Sequence, residues 1–445
     1  MTRPPVDVVG GGLAGSEAAW QLAELGYEVR LHEMRPERST PAHRTGDLAE
    51  IVCTNSFKSE ALDTAHGVLK AEMRRLGCML LEVADACRVP AGTALAVDRR
   101  LFGAEVTRRL NSHPRIRVVV GEVTSVPDGP VIVATGPLTS DALSADIRRL
   151  LGERHLAFFD AIAPIFSRES IDDSVVFAAS RYGKGEADYL NCPFDRERYE
   201  AFIDALLEAD VYEGHDWDAV PYFEGCLPIE VMARRGRETL AHGPLRPVGL
   251  LDPHSGEQHH AVAQLRMEDR AGQMWNLVGF QTRLKVGEQQ RVFRMIPGLE
   301  EAEFLRFGSI HRNTYLNFPA GLRAYGAPSS RPDLIFAGQL TGVEGYTESI
   351  ASGLLAAINL DRLLGGAEPV TPPTTTMLGG LYRYLREAEP QHFQPMNANF
   401  GLLDPPAAKI RGGRKARRTA LGTRALADLE SWASEITGRS AAEVA

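Results

Sequence analysis

Cysteine is scarce in this chain, and its pattern rules out two architectures. Cys53, Cys78, Cys87, Cys192 and Cys226 are odd in number and form no C-x-x-C pair. That excludes a disulfide framework and a cysteine zinc site, and fits a reducing compartment. No H-E-x-x-H occurs, and His259-His260 reads as a polar loop, so no metal is expected. The phosphate cradle G-x-x-x-x-G-K-[ST] is absent too. No apolar run approaches the roughly 20 residues of a membrane helix. A strand pattern begins at Val6, leaving no room for a signal peptide, so a cytoplasmic protein with no membrane contact is expected.

Positive charge is also in deficit. Lys and Arg number 49 against 58 Asp and Glu, a net charge of −9. A surface that binds nucleic acid everywhere is excluded, and any polyanion must be met by local patches. Three stretches could supply them: Arg234, Arg235, Arg237 and Arg246; Arg283, Lys285, Arg291 and Arg294; and Lys409, Arg411, Arg414, Lys415, Arg417 and Arg418.

Glycine, by contrast, is placed with purpose. Val6-Asp7-Val8-Val9 runs into Gly10-Gly11-Gly12-Leu13-Ala14-Gly15, a strand, a G-x-G-x-x-G turn and a helix start. The first glycine permits the tight turn, Gly12 lets a pyrophosphate approach the backbone, and Gly15 lets helix pack on strand. The helix N-terminus offers free N–H groups and a positive dipole end to phosphates. Ala14, Ala18, Ala19, Leu22 and Leu25 are expected to form its apolar face. The second strand ends on Glu33, about 20 residues on, where a carboxylate can accept ribose hydroxyls. A dinucleotide is the expected ligand.

At 445 residues the chain has room for two or three domains. A polar stretch from Arg35 to Ser59 precedes a helical pattern at 61–86, another helix near 98–110 and a strand at 115–120. Val131-Ile132-Val133-Ala134-Thr135-Gly136 is an apolar strand ending in a turn, as where flavoproteins bring the chain back to FAD. Residues 161–299 change texture, mixing aromatics, prolines and charges, and read as an inserted α+β domain facing the substrate. Leu334-Ile335-Phe336 then leads to Gly338, Gly342, Glu344, Gly345 and Tyr346 and a further helix. The expected division is therefore 1–160 and 300–370 for the cofactor domain, 161–299 for the insert, and a helical 371–445. In the last part 371–376 reads as a linker and 411–418 as a break.

Two cysteines have unusual neighbours. Cys53 lies in Cys53-Thr54-Asn55-Ser56-Phe57-Lys58-Ser59, among hydroxyls and a lysine that could stabilise a thiolate; Cys226 lies in Glu224-Gly225-Cys226-Leu227-Pro228. These segments, with the glycine turn, Gly279-Phe280-Gln281-Thr282-Arg283, His311-Arg312-Asn313-Thr314, Gly338–Tyr346 and Phe393–Gly401, make the chain resemble the bacterial folate- and FAD-dependent tRNA (uracil-5-)-methyltransferases. The glycine segments are shared with a sister family that modifies wobble uridines, but that family needs a long C-terminal helical domain for which 445 residues leave no space.

The resemblance implies an α/β fold of the glutathione-reductase type and a T-loop uridine in tRNA as target. It implies methylenetetrahydrofolate as carbon donor, non-covalent FAD as electron carrier, and NADH or NADPH as reductant. It further implies Cys226 as the nucleophile, Cys53 as its partner beside the flavin, and His311 stacking the pterin with Glu344 and Tyr346 close by. Arg234, Arg235, Arg283, Lys409, Arg411, Arg414 and Lys415 would then meet tRNA phosphates. A flavin oxidoreductase of small molecules, or a non-catalytic tRNA-binding flavoprotein, would need no pair of embedded thiols.

Overall fold

The computed structural model describes residues 3–40, 43–52, 55–89, 93–152, 156–159, 163–183, 189–212, 228–253, 255–267, 272–308, 313–406, 408 and 410–437. It divides into two units, Met1–Phe158 with Thr314–Ala445, and Phe159–Asn313.

The first unit is built from β1 (Val6–Val9), α1 (Leu13–Glu24), β2 (Val29–Glu33), α2 (Ala65–Arg75), β3 (Ile116–Val120), β4 (Val131–Val133), β5 (Leu334–Phe336), α3 (Tyr346–Leu364), α4 (Met377–Glu387) and α5 (Gly413–Thr437). The strands form a parallel sheet in the order β5-β4-β1-β2-β3. Every residue of β1, β4 and β5 is buried, as strands covered on both faces require. Ala14, Ala18, Ala19 and Leu22 are buried as expected; Leu25 caps the end of α1 and is 38% exposed. Small residues let α3 approach α1 closely, since a Cβ on Gly353 would lie 2.1 Å from the Ala14 carbonyl oxygen.

Three expectations are corrected in this unit. The pattern at 61–86 is two helices, α2 and Met79–Ala86, because Gly77 adopts φ +75° and ends the first. The stretch 371–376 is an ordered lead-in: Thr376 Oγ1 accepts the Gly379 N–H at 2.9 Å and caps α4. The break at 411–418 is shorter than expected, since α5 begins at Gly413 and takes Arg414 to Arg418 into its first turns.

The second unit is a six-stranded antiparallel sheet in the order Phe177–Ala178, Tyr189–Phe194, Ala261–Met267, Met274–Leu277, Ile165–Ser167, Phe304–Arg306. Helix Arg196–Glu208 is capped by Asp195, whose carboxylate accepts the Arg198 N–H at 2.7 Å. It sets Tyr199, Phe202, Ile203 and Leu206 into a core with Phe194, Phe280 and Phe293. Because Phe304–Arg306 pairs with Ile165–Ser167, residues 300–313 go with the insert, and the first unit resumes at 314.

Candidate functional site

The carboxyl ends of β1, β4 and β5 open on one cleft, lined by Gly10, Gly12, Leu13, Ala14, Glu33, Gly136, Gly338 and Tyr346 among the expected residues. The glycines divide their labour as backbone geometry demands. Gly10 has φ +102°, and a Cβ there would sit 2.6 Å from the Ala134 carbonyl oxygen. A Cβ on Gly15 would lie 1.9 Å from the Gly10 carbonyl oxygen. Around Gly12 nothing lies within 4 Å of such an atom, so its space faces the cleft. No side chain caps the N-terminus of α1 and no acid occupies its first turn. Its N–H groups and dipole are left for an anion.

Glu33, expected to accept ribose hydroxyls, is engaged within the protein itself. Its Oε2 accepts the Gly11 N–H at 2.9 Å and Arg35 Nη2 at 3.1 Å, while Oε1 accepts Arg35 N at 3.0 Å and Arg35 Nε at 2.9 Å. Burial would raise its pKa, but the Arg35 side chain and the two backbone N–H groups outweigh it and hold the carboxyl below its ordinary value. Glu33 thus clamps the glycine turn to β2, and a ribose hydroxyl would share oxygens already bonded. Arg35 in turn donates through Nη1 to Glu50 at 3.0 Å. Arg35, His43 and Glu50 line the same cleft, and the sequence shows them only as members of a polar stretch. Burial first, and then Arg35, lower the pKa of His43.

At the other wall, Gly338 N–H donates to Ser352 Oγ at 2.6 Å, and the Tyr346 ring lies 5.9 Å from Phe57. Gly342 and Gly345 have φ +88° and +121°; Cβ atoms there would meet Phe393 at 2.5 Å and Glu348 at 2.3 Å. Glu344 is half-buried, its N–H donating to the Met396 carbonyl at 2.8 Å.

Glu348, in the first turn of α3, accepts the Ala398 N–H at 2.8 Å and lies 3.2 Å from His66 Nδ1. Lys58 Nζ is 3.1 Å from His66 Nε2. Burial would raise the Glu348 pKa, yet His66, Lys58 and the Ala398 N–H bring it down to about 2. A carboxyl lowered on folding adds stability above its unfolded pKa and loses it as pH falls toward the folded one. Glu348→Gln is therefore expected to melt below the wild type near neutrality. The gap should narrow as pH drops from about 5 toward about 2, in thermal melts across that range; a gap independent of pH would contradict the assignment.

Cys53, Cys226, His311 and Lys409 lie outside the described residues. Cys78, Cys87 and Cys192 are buried, with burial raising each thiol, as small core hydrophobes. Arg283 departs from the open cation expected of it. Its backbone N–H donates to Glu230 at 2.8 Å and its Nε is 3.6 Å from the same carboxylate, so its charge is neutralised locally. Lys285 and Arg291 pair with Asp210 and Glu288, and Arg237 with Asp204. Arg234, Arg235, Arg411, Arg414 and Lys415 are exposed, with Lys415 3.9 Å from Asp63.

The family described as "Glucose inhibited division protein A" matches residues 5–368. Methylenetetrahydrofolate--tRNA-(uracil-5-)-methyltransferase TrmFO of Desulforudis audaxviator is 56% identical over 97% of this chain and 98% of its own. The protein of that name from Geobacter sulfurreducens is 53% identical over 97% and 99%. This chain belongs to the TrmFO family. Among solved structures, Aquifex aeolicus GidA in two crystal forms superposes with TM-scores of 0.51 and 0.50 at 16% identity, over 99% of this chain and 77% and 75% of GidA. That likeness shows the fold, and the two TrmFO relatives match this chain over nearly its whole length and theirs, whereas it covers about three quarters of GidA. No helix among the described residues is long and apolar enough to cross a membrane.

Proposed function

We propose that this chain methylates C5 of a T-loop uridine in tRNA, with methylenetetrahydrofolate as carbon donor and FAD as the electron carrier. The observation that carries the reading is the match to TrmFO methyltransferases at 51–56% identity over nearly the whole chain. The cleft agrees with it: an uncapped helix N-terminus behind Gly12, with free space before it, fits a dinucleotide pyrophosphate. Gly10, Gly12, Leu13 and Ala14 would hold the phosphates, and Gly136, Gly338 and Tyr346 the remainder. FAD, when bound, supplies the two electrons by which a methylene is short of a methyl group.

The protein's own part is nucleophilic and positional. Uracil C5 attacks nothing until a thiolate adds at C6, and Cys226 is assigned that addition with Cys53 assisting. The base must leave the folded T-loop to reach a thiol, so it is splayed into the pocket. The reductant is assigned as NADH or NADPH and the compartment as the cytoplasm, in keeping with cysteines held as thiols.

Isotope labelling tests the donor. Unmodified tRNA incubated with the holoenzyme, reduced nicotinamide and labelled methylenetetrahydrofolate is expected to carry the label in 5-methyluridine. Labelled S-adenosylmethionine should leave none, because a sulfonium delivers a finished methyl group and needs no flavin. The reverse result overturns the donor and the reason for the cleft.

A further inference from the structure

The inserted unit carries a surface feature that the chemistry above leaves unused. Past the edge strand Phe177–Ala178 the chain turns at Arg181 and Tyr182, where the Tyr182 N–H donates to the Gly249 carbonyl at 2.7 Å. Gly249 has φ +83°, and a Cβ on it would lie 2.9 Å from the Tyr182 ring. The ring therefore lies on bare backbone, while the residue as a whole is 63% exposed. Tyr182 itself has φ +59°, a conformation that costs a non-glycine residue about 1 kcal/mol or more. An aromatic residue is being held out to solvent against both hydrophobicity and backbone preference.

Its neighbour is equally constrained. Arg181 donates through Nε to Gln264 Oε1 at 3.1 Å and through Nη1 to the Val248 carbonyl at 2.8 Å. Gln264 is fixed by Asn191 Oδ1 at 2.9 Å, and Asn191, fully buried, donates to the Phe177 and Ala179 carbonyls. A guanidinium has five N–H donors in a rigid fork, so the rest stay available for planar recognition of an anion. Burial, and then the nearby charge of Arg246, lower the pKa of Arg181. Among the described residues no carboxylate pairs with Arg181 or Arg246, whereas Arg237, Arg283, Lys285 and Arg291 of the same unit all have one. On a chain of net charge −9, two neighbouring arginines with no acid paired to them among the described residues are complementary to a polyanion.

We propose that Arg181, Tyr182 and Arg246 form an RNA contact on the inserted unit, with an unpaired base stacked on the Tyr182 ring and a backbone phosphate held by the two guanidinium groups. The combination is what single-stranded RNA asks for. A π-face accepts any base, and cations beside it take the phosphate. The proposal rests on tRNA being the substrate.

The test is tRNA binding by the full-length holoenzyme across a salt series. Stacking of one base contributes about 1–3 kcal/mol, so Tyr182→Ala is expected to weaken binding about 5- to 150-fold. Tyr182→Phe keeps the π-face and should bind as the wild type does. Arg246→Ala should flatten the slope of log affinity against log salt by about 0.7 to 0.9 for a lost phosphate contact. Unchanged flavin content and melting temperature show that the variants are folded, and should Tyr182→Ala not fold, Arg246→Ala carries the test. Tyr182→Ala and Arg246→Ala proteins with wild-type affinity and slope overturn the proposal. So does a change confined to self-association, which would make the patch a contact with a second copy of the chain. A wild type that binds no tRNA removes the substrate reading, and the proposal falls with it.

Discussion

Gly12→Val is expected to give a folded, colourless protein with no methyltransferase activity. Gly12 has φ −73° and ψ −169°, an extended conformation that valine adopts readily, and no atom lies within 4 Å of a Cβ placed there. The substitution costs the fold little beyond the weaker helix start, about 1 kcal/mol or less. It fills the space before the free N–H groups of α1, which the proposed function gives to the FAD pyrophosphate. Loss of a ligand also removes its stabilisation, about 4 kcal/mol when free ligand stands at about 1,000 times its dissociation constant. The variant should therefore melt at the temperature of wild-type apoprotein. Gly15→Val is the control of opposite character: its Cβ would sit 1.9 Å from the Gly10 carbonyl oxygen, backbone against backbone, and insoluble protein is expected. Flavin absorbance per chain and thermal melting separate the two. A Gly12→Val protein with full flavin content would sink the assignment of the cleft.

That contrast also shows which parts of the molecule can be read from residues alone. Gly10, Gly12 and Gly15 are dictated by a local turn and a close approach, so their spacing carries the information. The buried β4 and β5 announce themselves as apolar runs leading to glycine, and β1 does so with Asp7 as its one interruption. Long-range polar contacts leave no such trace. Glu17 accepts the N–H groups of Met79 and Leu80 at 3.1 and 2.9 Å, and Glu72 accepts those of Met377 and Leu378 at 2.7 and 2.9 Å. Each is a buried acid capping the start of a helix distant in sequence, and each reads as an exposed polar residue on an amphipathic helix. Glu72 is also why 371–376 is no free linker, since it ties the start of α4 to α2.

The same holds for the clamp of Glu33, Arg35 and Glu50, and for Arg283, whose charge reads as open until Glu230 is seen beside it. The boundary of the insert was missed at 299 because Phe304–Arg306 is too short for an alternating pattern; only its pairing with Ile165–Ser167 reveals it as a strand. Gly353 was passed over for a different reason. A glycine within a helix reads as a weakness, whereas here it is the point where α3 meets the backbone of α1.

Cys226→Ala is expected to abolish methylation while tRNA and FAD still bind. A nucleophile contributes to the bond being formed and little to ground-state affinity, so the loss falls on turnover. Without addition at C6 the pyrimidine has no enolate with which to attack the methylene carbon, and a loss on the order of 10³-fold or more is expected, as when an enzyme loses its nucleophile. An ordinary thiol has a pKa of about 8.5, so wild-type turnover should rise with pH until the attacking thiol is ionised. Alanine leaves a dead enzyme with no such profile. A tRNA carrying 5-fluorouridine makes the addition visible, because fluorine at C5 cannot depart as a proton and the base stays bonded to sulfur. The wild type should form this adduct, detectable as a protein–RNA band that survives denaturation, and Cys226→Ala should not. Cys53→Ala is the necessary comparison, since both cysteines stand in segments resembling the family and either thiol could add. If Cys53→Ala alone loses the adduct, the two roles exchange, and Cys226 becomes the assisting thiol. If both single variants keep it, the double variant Cys53→Ala/Cys226→Ala decides: an adduct lost only there means that either thiol can add, and an adduct that survives there takes the addition away from both cysteines.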